Sequence, residues 1–129
     1  MMGTFANDVL EAAAREKEVS LTTPGRSSGR LHRVTIWVAT DGRRLFIRSG
    51  QGLKRHWPQN LLAGGGTLHV GENDVAVSPR HVSDAAEARD ISLLYVKKYG
   101  PKSNINPSLP SEPLTTGESA TFELIPLEP

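Results

Sequence analysis

The stretch that most constrains the fold runs from Leu31 to Thr40 and reads Leu-His-Arg-Val-Thr-Ile-Trp-Val-Ala-Thr. Valine, isoleucine, threonine and tryptophan favour a pleated strand over a helix, because branched side chains pack well on a sheet. Asp41-Gly42 follows directly and supplies the residues of a tight hairpin turn. Arg44 to Ser49 then predicts the return strand, with Leu45 and Ile47 on one face and Arg44, Phe46 and Arg48 on the other. A long strand with a local partner commits this region to an antiparallel sheet.

The flanking segments extend that reading. Thr4 to Glu18 predicts a helix capped by Thr4 or Asn7, with Val9, Leu10, Ala13 and Ala14 on one stripe. Glu18 to Thr23 predicts a strand, and Pro24-Gly25 and Ser28-Gly29 predict turns. Lys54 to Ala63 predicts a short helix carrying Trp57, Leu61 and Leu62 on its apolar side, stopped by Gly64-Gly65-Gly66. Thr67 to Val70 and Val75 to Ser78 predict a second hairpin. Asp84 to Tyr99 predicts a helix capped by Ser83 or Asp84 and ended at Gly100-Pro101. Pro101 to Gly117 reads as a surface loop and Ala120 to Leu127 as a last strand. The expected fold is mainly β within an α+β class: a small antiparallel barrel of five or six strands with flanking helices.

At 129 residues the expectation is a single domain, residues 1–129. The chain has no cysteine, which excludes disulfides and thiolate chemistry. No segment has the apolar length of a membrane span, and Met1 to Glu18 lacks the apolar run of a signal peptide, so a cytoplasmic protein is expected. The four histidines, His32, His56, His69 and His81, show no metal-ligand spacing, so no metal is expected. Hydrolase and phosphate-loop glycine motifs do not occur.

Charge is unevenly distributed. Arg26 to Arg55 holds eight basic residues and one acidic residue, a net +7 in a chain of net +1. Such a field attracts an anion. Nucleic acid ranks last among the candidates, because aromatic residues are not interleaved with the basic ones.

Two clusters could take an anion. In the first, Arg26, Arg30 and Arg33 surround the turn with Ser27 and Ser28. Guanidinium forks grip phosphate or carboxylate bidentately, and amides beside Gly25 and Gly29 could add donors. The second is Arg48-Ser49-Gly50-Gln51-Gly52-Leu53-Lys54-Arg55, where a strand ends and a helix begins. Its glycines let a flat ligand approach the main chain, and Lys54 and Arg55 add charge. Both clusters also read as ordinary solvated connections. Trp37 and Trp57 could face a flat ring, although core packing accounts for either one. Tyr95, Tyr99 and Lys97-Lys98 read as packing and capping at the end of their helix, with a tyrosine facing the pocket as the alternative.

The segment Thr22-Thr23-Pro24-Gly25-Arg26-Ser27-Ser28-Gly29-Arg30, the strand after it, Asp41-Gly42, Arg48-Ser49-Gly50, Trp57 and Asn60-Leu61-Leu62 resembles the deazaflavin-dependent nitroreductase pattern. The likeness covers about Val19 to Gly71, and the chain is similar to a branch described only as a domain of unknown function. Pro58, Gln59 and Gly64-Gly65 depart from the usual helix and its Asn-Pro end. The resemblance implies a split β-barrel related to pyridoxamine-phosphate oxidases, usually a homodimer, binding coenzyme F420 or FMN. It implies that Arg26, Ser28, Arg30 and Arg33 meet the phosphate or tail. Arg48, Ser49, Gly50, Lys54 and Arg55, with Trp57 beside them, would then line the phosphate and ring region. The implied activity is hydride transfer at the cofactor ring to a small acceptor. The alternative is a ligand-binding or sensor module on the same barrel, without turnover.

Overall fold

The computed structural model describes residues 4–100, 105 and 107–127. Six strands form one closed antiparallel barrel: β1 (Glu18–Pro24), β2 (Leu31–Thr40), β3 (Leu45–Arg48), β4 (Gly66–Val70), β5 (Asn73–His81) and β6 (Thr121–Pro126). Their order around the barrel is β1-β2-β3-β6-β5-β4. Among the described residues, four helices flank it: α1 (Asn7–Arg15), α2 (His56–Gly64), α3 (Ala85–Tyr99) and the single turn α4 (Thr116–Ser119).

Alternation sets the inside of the barrel. Leu21, Val38, Leu45, Ile47, Leu68 and Phe122 are fully buried there. Phe5, Val9, Ala12 and Ala13 bring α1 into the same core, and Leu61 brings α2. Burying one such large side chain contributes roughly 1.5–3 kcal/mol. Leu45 and Ile47 face inward as expected. Phe46, on the opposite face, is also buried, because α3 lays Ala88, Ile91 and Tyr95 over it and Ala39.

Strand β2 has the expected bounds, but it has two unlike halves. β1 pairs with it from Leu31 to Trp37, whereas β3 pairs only with Val38, Ala39 and Thr40. Among the described residues, the β3-side edge from Leu31 to Trp37 therefore carries no strand.

Helix α1 is shorter than the sequence suggests. Ala6 occupies its cap position and no side chain caps it, so neither Thr4 nor Asn7 does. At its other end the Lys98 ammonium reaches the Ala13 and Glu16 carbonyls at 2.7 and 2.5 Å. A helix leaves its last carbonyls without partners, and a lysine from α3 supplies them here. Asp84 caps α3 through the Glu87 amide at 2.9 Å, as expected. Leu62 is 45% exposed rather than packed, because α2 turns Pro58, Asn60 and Leu61 inward instead. Gly65 ends α2 at φ 72°, where a Cβ would sit 2.8 Å from the Val77 carbonyl oxygen.

Part of the loop expected from Pro101 to Gly117 lies outside the described residues. Its described end is more ordered in pattern than the sequence suggests. Thr115 and Glu118 form a reciprocal capping box at the start of α4.

Candidate functional site

Two hollows lie along the unpaired edge of β2. The first, of about 760 Å³, is walled by the Gly25–Ser28 turn, Leu31 to Val34 and the start of α2. The second, of about 770 Å³, is walled by Val34 to Trp37, Arg48 to Gln51, Tyr95 and Thr115 to Gly117. They meet at Val34, Arg55 and Trp57, which line both.

The first hollow gathers Arg26, Ser28 and Arg33, with His32 and His56 beside them. Arg26 is partly committed. Its guanidinium donates to Asn60 Oδ1 at 3.3 Å and to the His56 carbonyl at 3.4 Å. Ser28 Oγ accepts the Arg30 amide at 3.2 Å and keeps its own proton to give. The amides of Gly25 and Gly29 close the turn on the Arg30 and Gly25 carbonyls at 2.7 and 3.0 Å. Of the amides beside them, Arg26 N donates to Asn60 Oδ1 at 3.3 Å and Arg30 N to Ser28 Oγ. Arg30 and Lys54 line neither hollow.

The second hollow gathers Arg48, Ser49 and Gly50. Arg48 is anchored from behind. It donates to Thr121 Oγ1 at 2.8 Å, Ser92 Oγ at 2.9 Å and the Ala88 carbonyl at 3.2 Å. Its guanidinium carbon also lies 4.9 Å from the centre of the Tyr95 ring. Burial pushes its pKa down, with the charges of Tyr95 and Glu118 acting the other way. Ser49 Oγ donates to the Gly52 carbonyl at 2.8 Å. Gly50 is bare: a Cβ there would meet nothing within 4 Å.

Trp37 is not a core residue. It is 39% exposed on the outside of the barrel and stacks on Tyr99 at 4.4 Å and 7° between planes. Trp57 packs one side against Phe122 at 6.2 Å and borders both hollows.

Sequence reasoning missed the support behind this site. Glu118 is fully buried and accepts bonds from Ser92 Oγ at 2.9 Å, Ser108 N at 3.1 Å and Thr115 N at 2.9 Å. The Thr115-x-x-Glu118 spacing was a legible capping signal at the end of the stretch read as loop. Tyr95 donates to the Trp37 and Phe46 carbonyls at 3.0 and 3.3 Å, and burial raises its pKa.

Charge compensation is one-sided. Arg44 pairs with Asp41 and Glu87, and Arg80 pairs with Glu87 and Glu123. Among the described residues, no side-chain bond or ion pair engages Arg30, Arg33, Lys54 or Arg55. Among the described residues no cluster could hold a metal ion, and no helix is long and apolar enough to cross a membrane.

The chain belongs to the family described as "Uncharacterized protein conserved in bacteria (DUF2255)", whose model matches residues 9–122. Among curated proteins none matches it. A solved structure described as an F420 reductase superposes with a TM-score of 0.60 at 17% identity, over 95% of this chain and 94% of its own. Another, described as a domain-swapped dimer, gives 0.59 at 17% identity, over 85% of this chain and 80% of its own. Both likenesses establish a shared barrel fold.

Proposed function

We propose that the paired hollows bind a phosphorylated planar cofactor, coenzyme F420 or FMN, and that the protein is an oxidoreductase working as a homodimer. The observation that carries this reading is the meeting of a cationic hollow and an aromatic-walled hollow at Arg55 and Trp57. The donor set suits such a ligand. Arg33 and Arg55 have uncommitted guanidinium groups, and Arg26 has one partly held in place. These would take the phosphate, because a planar fork matches its oxygens. The bare backbone at Gly50 admits a flat ring closely. Arg48 is spent on protein partners, so it acts as a fixed positive charge in the wall.

When bound, the cofactor supplies hydride transfer to a small acceptor. The chain itself holds and orients the ligand and shields one face of it with Trp57. The hydroxyls at the back of the second hollow, Ser49 Oγ and Tyr95 Oη, already donate to carbonyls. That suits a transfer that draws no proton from them. It equally suits the second reading, a carrier or sensor without turnover.

Fluorescence titration with oxidised F420 and with FMN tests the binding. We expect saturable quenching by one of them. No change by either at about 100 µM, where even about 5 kcal/mol of binding would register, overturns the reading. Turnover of the reduced cofactor with an added acceptor then separates the enzyme from the carrier.

A further inference from the structure

We propose that the open edge of β2 is a strand-addition site for an extended acidic peptide. The edge runs from Leu31 to Trp37, since β3 joins β2 only from Val38 onward. Residues from both faces of β2 line the hollows: Leu31, His32, Arg33 and Val34 in one, Val34, Thr35, Ile36 and Trp37 in the other. A hollow touches both faces of a strand only where it abuts the strand's edge, because successive side chains alternate.

The direction of the backbone groups follows from their neighbours. Val38 turns its N–H to Tyr99 Oη at 3.1 Å, and its carbonyl accepts from Lys98 Nζ at 2.8 Å. Trp37, one residue earlier, presents its carbonyl to Tyr95 Oη instead. Antiparallel strands alternate in this way, so Thr35 and Arg33 turn their backbone groups to the same side as Trp37. Among the described residues, no strand lies on that side. An unpaired edge is a template for another backbone.

The charge selects the occupant. Arg26, His32, Arg33, Arg55 and His56 border the edge, and Glu18 at its far end is the single acid among the described residues of both walls. Seven edge residues span roughly 23 Å at about 3.3 Å each, the reach of a peptide of similar length. Alternate carboxylates along such a peptide would meet the guanidinium groups while its amides pair with Arg33 and Thr35. This inference does not rest on the cofactor reading. Both ligands would meet Arg55 and Trp57, so they would compete.

Fluorescence anisotropy with a labelled octapeptide alternating Glu and Val tests it, on the protein without added cofactor and at about 0.15 M salt. We expect saturable binding that weakens at least about tenfold when alternate amides of the pairing register are N-methylated. Two methylated peptides cover both registers, and only one should lose affinity. Thr35→Pro, which removes an edge donor, should lose a similar factor. The methylated peptides read the same point on unaltered protein should that variant not fold. The proposal is overturned by no binding up to about 1 mM, or by equal binding of both methylated peptides. Equal binding of a single-stranded oligonucleotide of matched charge would also overturn it, since that is a cationic trough without edge pairing. So would a dimer in sedimentation velocity that Thr35→Pro splits, because a second copy would then own the edge. Peptide binding without cofactor binding sinks the cofactor reading alone, and the reverse sinks this one alone.

Discussion

Arg48 and Glu118 do not touch: the hydroxyl of Ser92 lies between them, 2.9 Å from each. Arg48 donates to Ser92 Oγ, and the hydroxyl passes its one proton to Glu118 Oε2. The buried carboxylate thereby balances a cation that faces the second hollow. The same carboxylate holds the Ser108 and Thr115 amides, so it ties the far wall of that hollow to α3.

Ser92→Ala should therefore cost more than an ordinary serine. It leaves a guanidinium donor and a carboxylate oxygen without their bridge in a buried place. We expect a loss of about 2–3 kcal/mol in urea unfolding, the cost of stranded charged hydrogen-bond partners. A double-mutant cycle with Glu118→Gln should show clear coupling between the two positions.

Stability should fall in acid through Glu118. Burial opposes its ionisation, but bonds from Ser108, Thr115 and Ser92 outweigh that and bring its pKa down to about 2 from an ordinary 4.5. The unfolded chain thus binds the proton more tightly, and the group's contribution is complete above about pH 4.5. It is lost as the pH drops from there towards 2. Urea midpoints between pH 6 and pH 2 should show this fall, and Glu118→Gln should flatten its share of it.

The arginines of the two hollows should separate by phenotype. Arg55→Glu should leave the unfolding midpoint nearly unchanged, because exposed sites shift stability by within about 0.5 kcal/mol. It should weaken F420 or FMN binding by about tenfold or more, the range of a charge-assisted bond lost. Arg48→Lys should do the opposite. One ammonium cannot reproduce the planar fork that serves Thr121, Ser92 and Ala88, so stability should drop by about 2 kcal/mol.

Lys98→Met should loosen α1 before anything else. It removes donors to Ala13 and Glu16 and to the Val38 carbonyl. Hydrogen exchange should show the last turn of α1 losing protection while β3 and β6 keep theirs, with a global cost of about 1–2 kcal/mol.

The barrel was largely legible because its signals are local. Leu31 to Thr40 is rich in branched and aromatic residues, Asp41-Gly42 names its turn, and Asp84 announces α3. The site was harder for reasons of long range. Arg48 reads as a free cation beside glycines, yet Thr121 and Ser92, far along the chain, take its donors. Trp37 reads as core because tryptophan is usually buried. Only the position of Tyr99, on a helix that crosses outside the sheet, makes it a surface stack. Glu118 sits just past a proline-rich stretch whose polarity suggested solvent, although its spacing from Thr115 spelled a cap. Arg30 and Lys54 matched a motif in type and order, and spacing along a chain does not say which way a turn leans.

Strand β6 is the stave that joins β3 to β5, and it is the sixth to leave the ribosome. Until it emerges, the nascent sheet shows two raw borders and an interior with Leu45 and Ile47 uncovered on one flank. The core cannot shut before Thr121 to Pro126 has emerged, so a chain stalled or clipped ahead of β6 would present sticky strands to its neighbours.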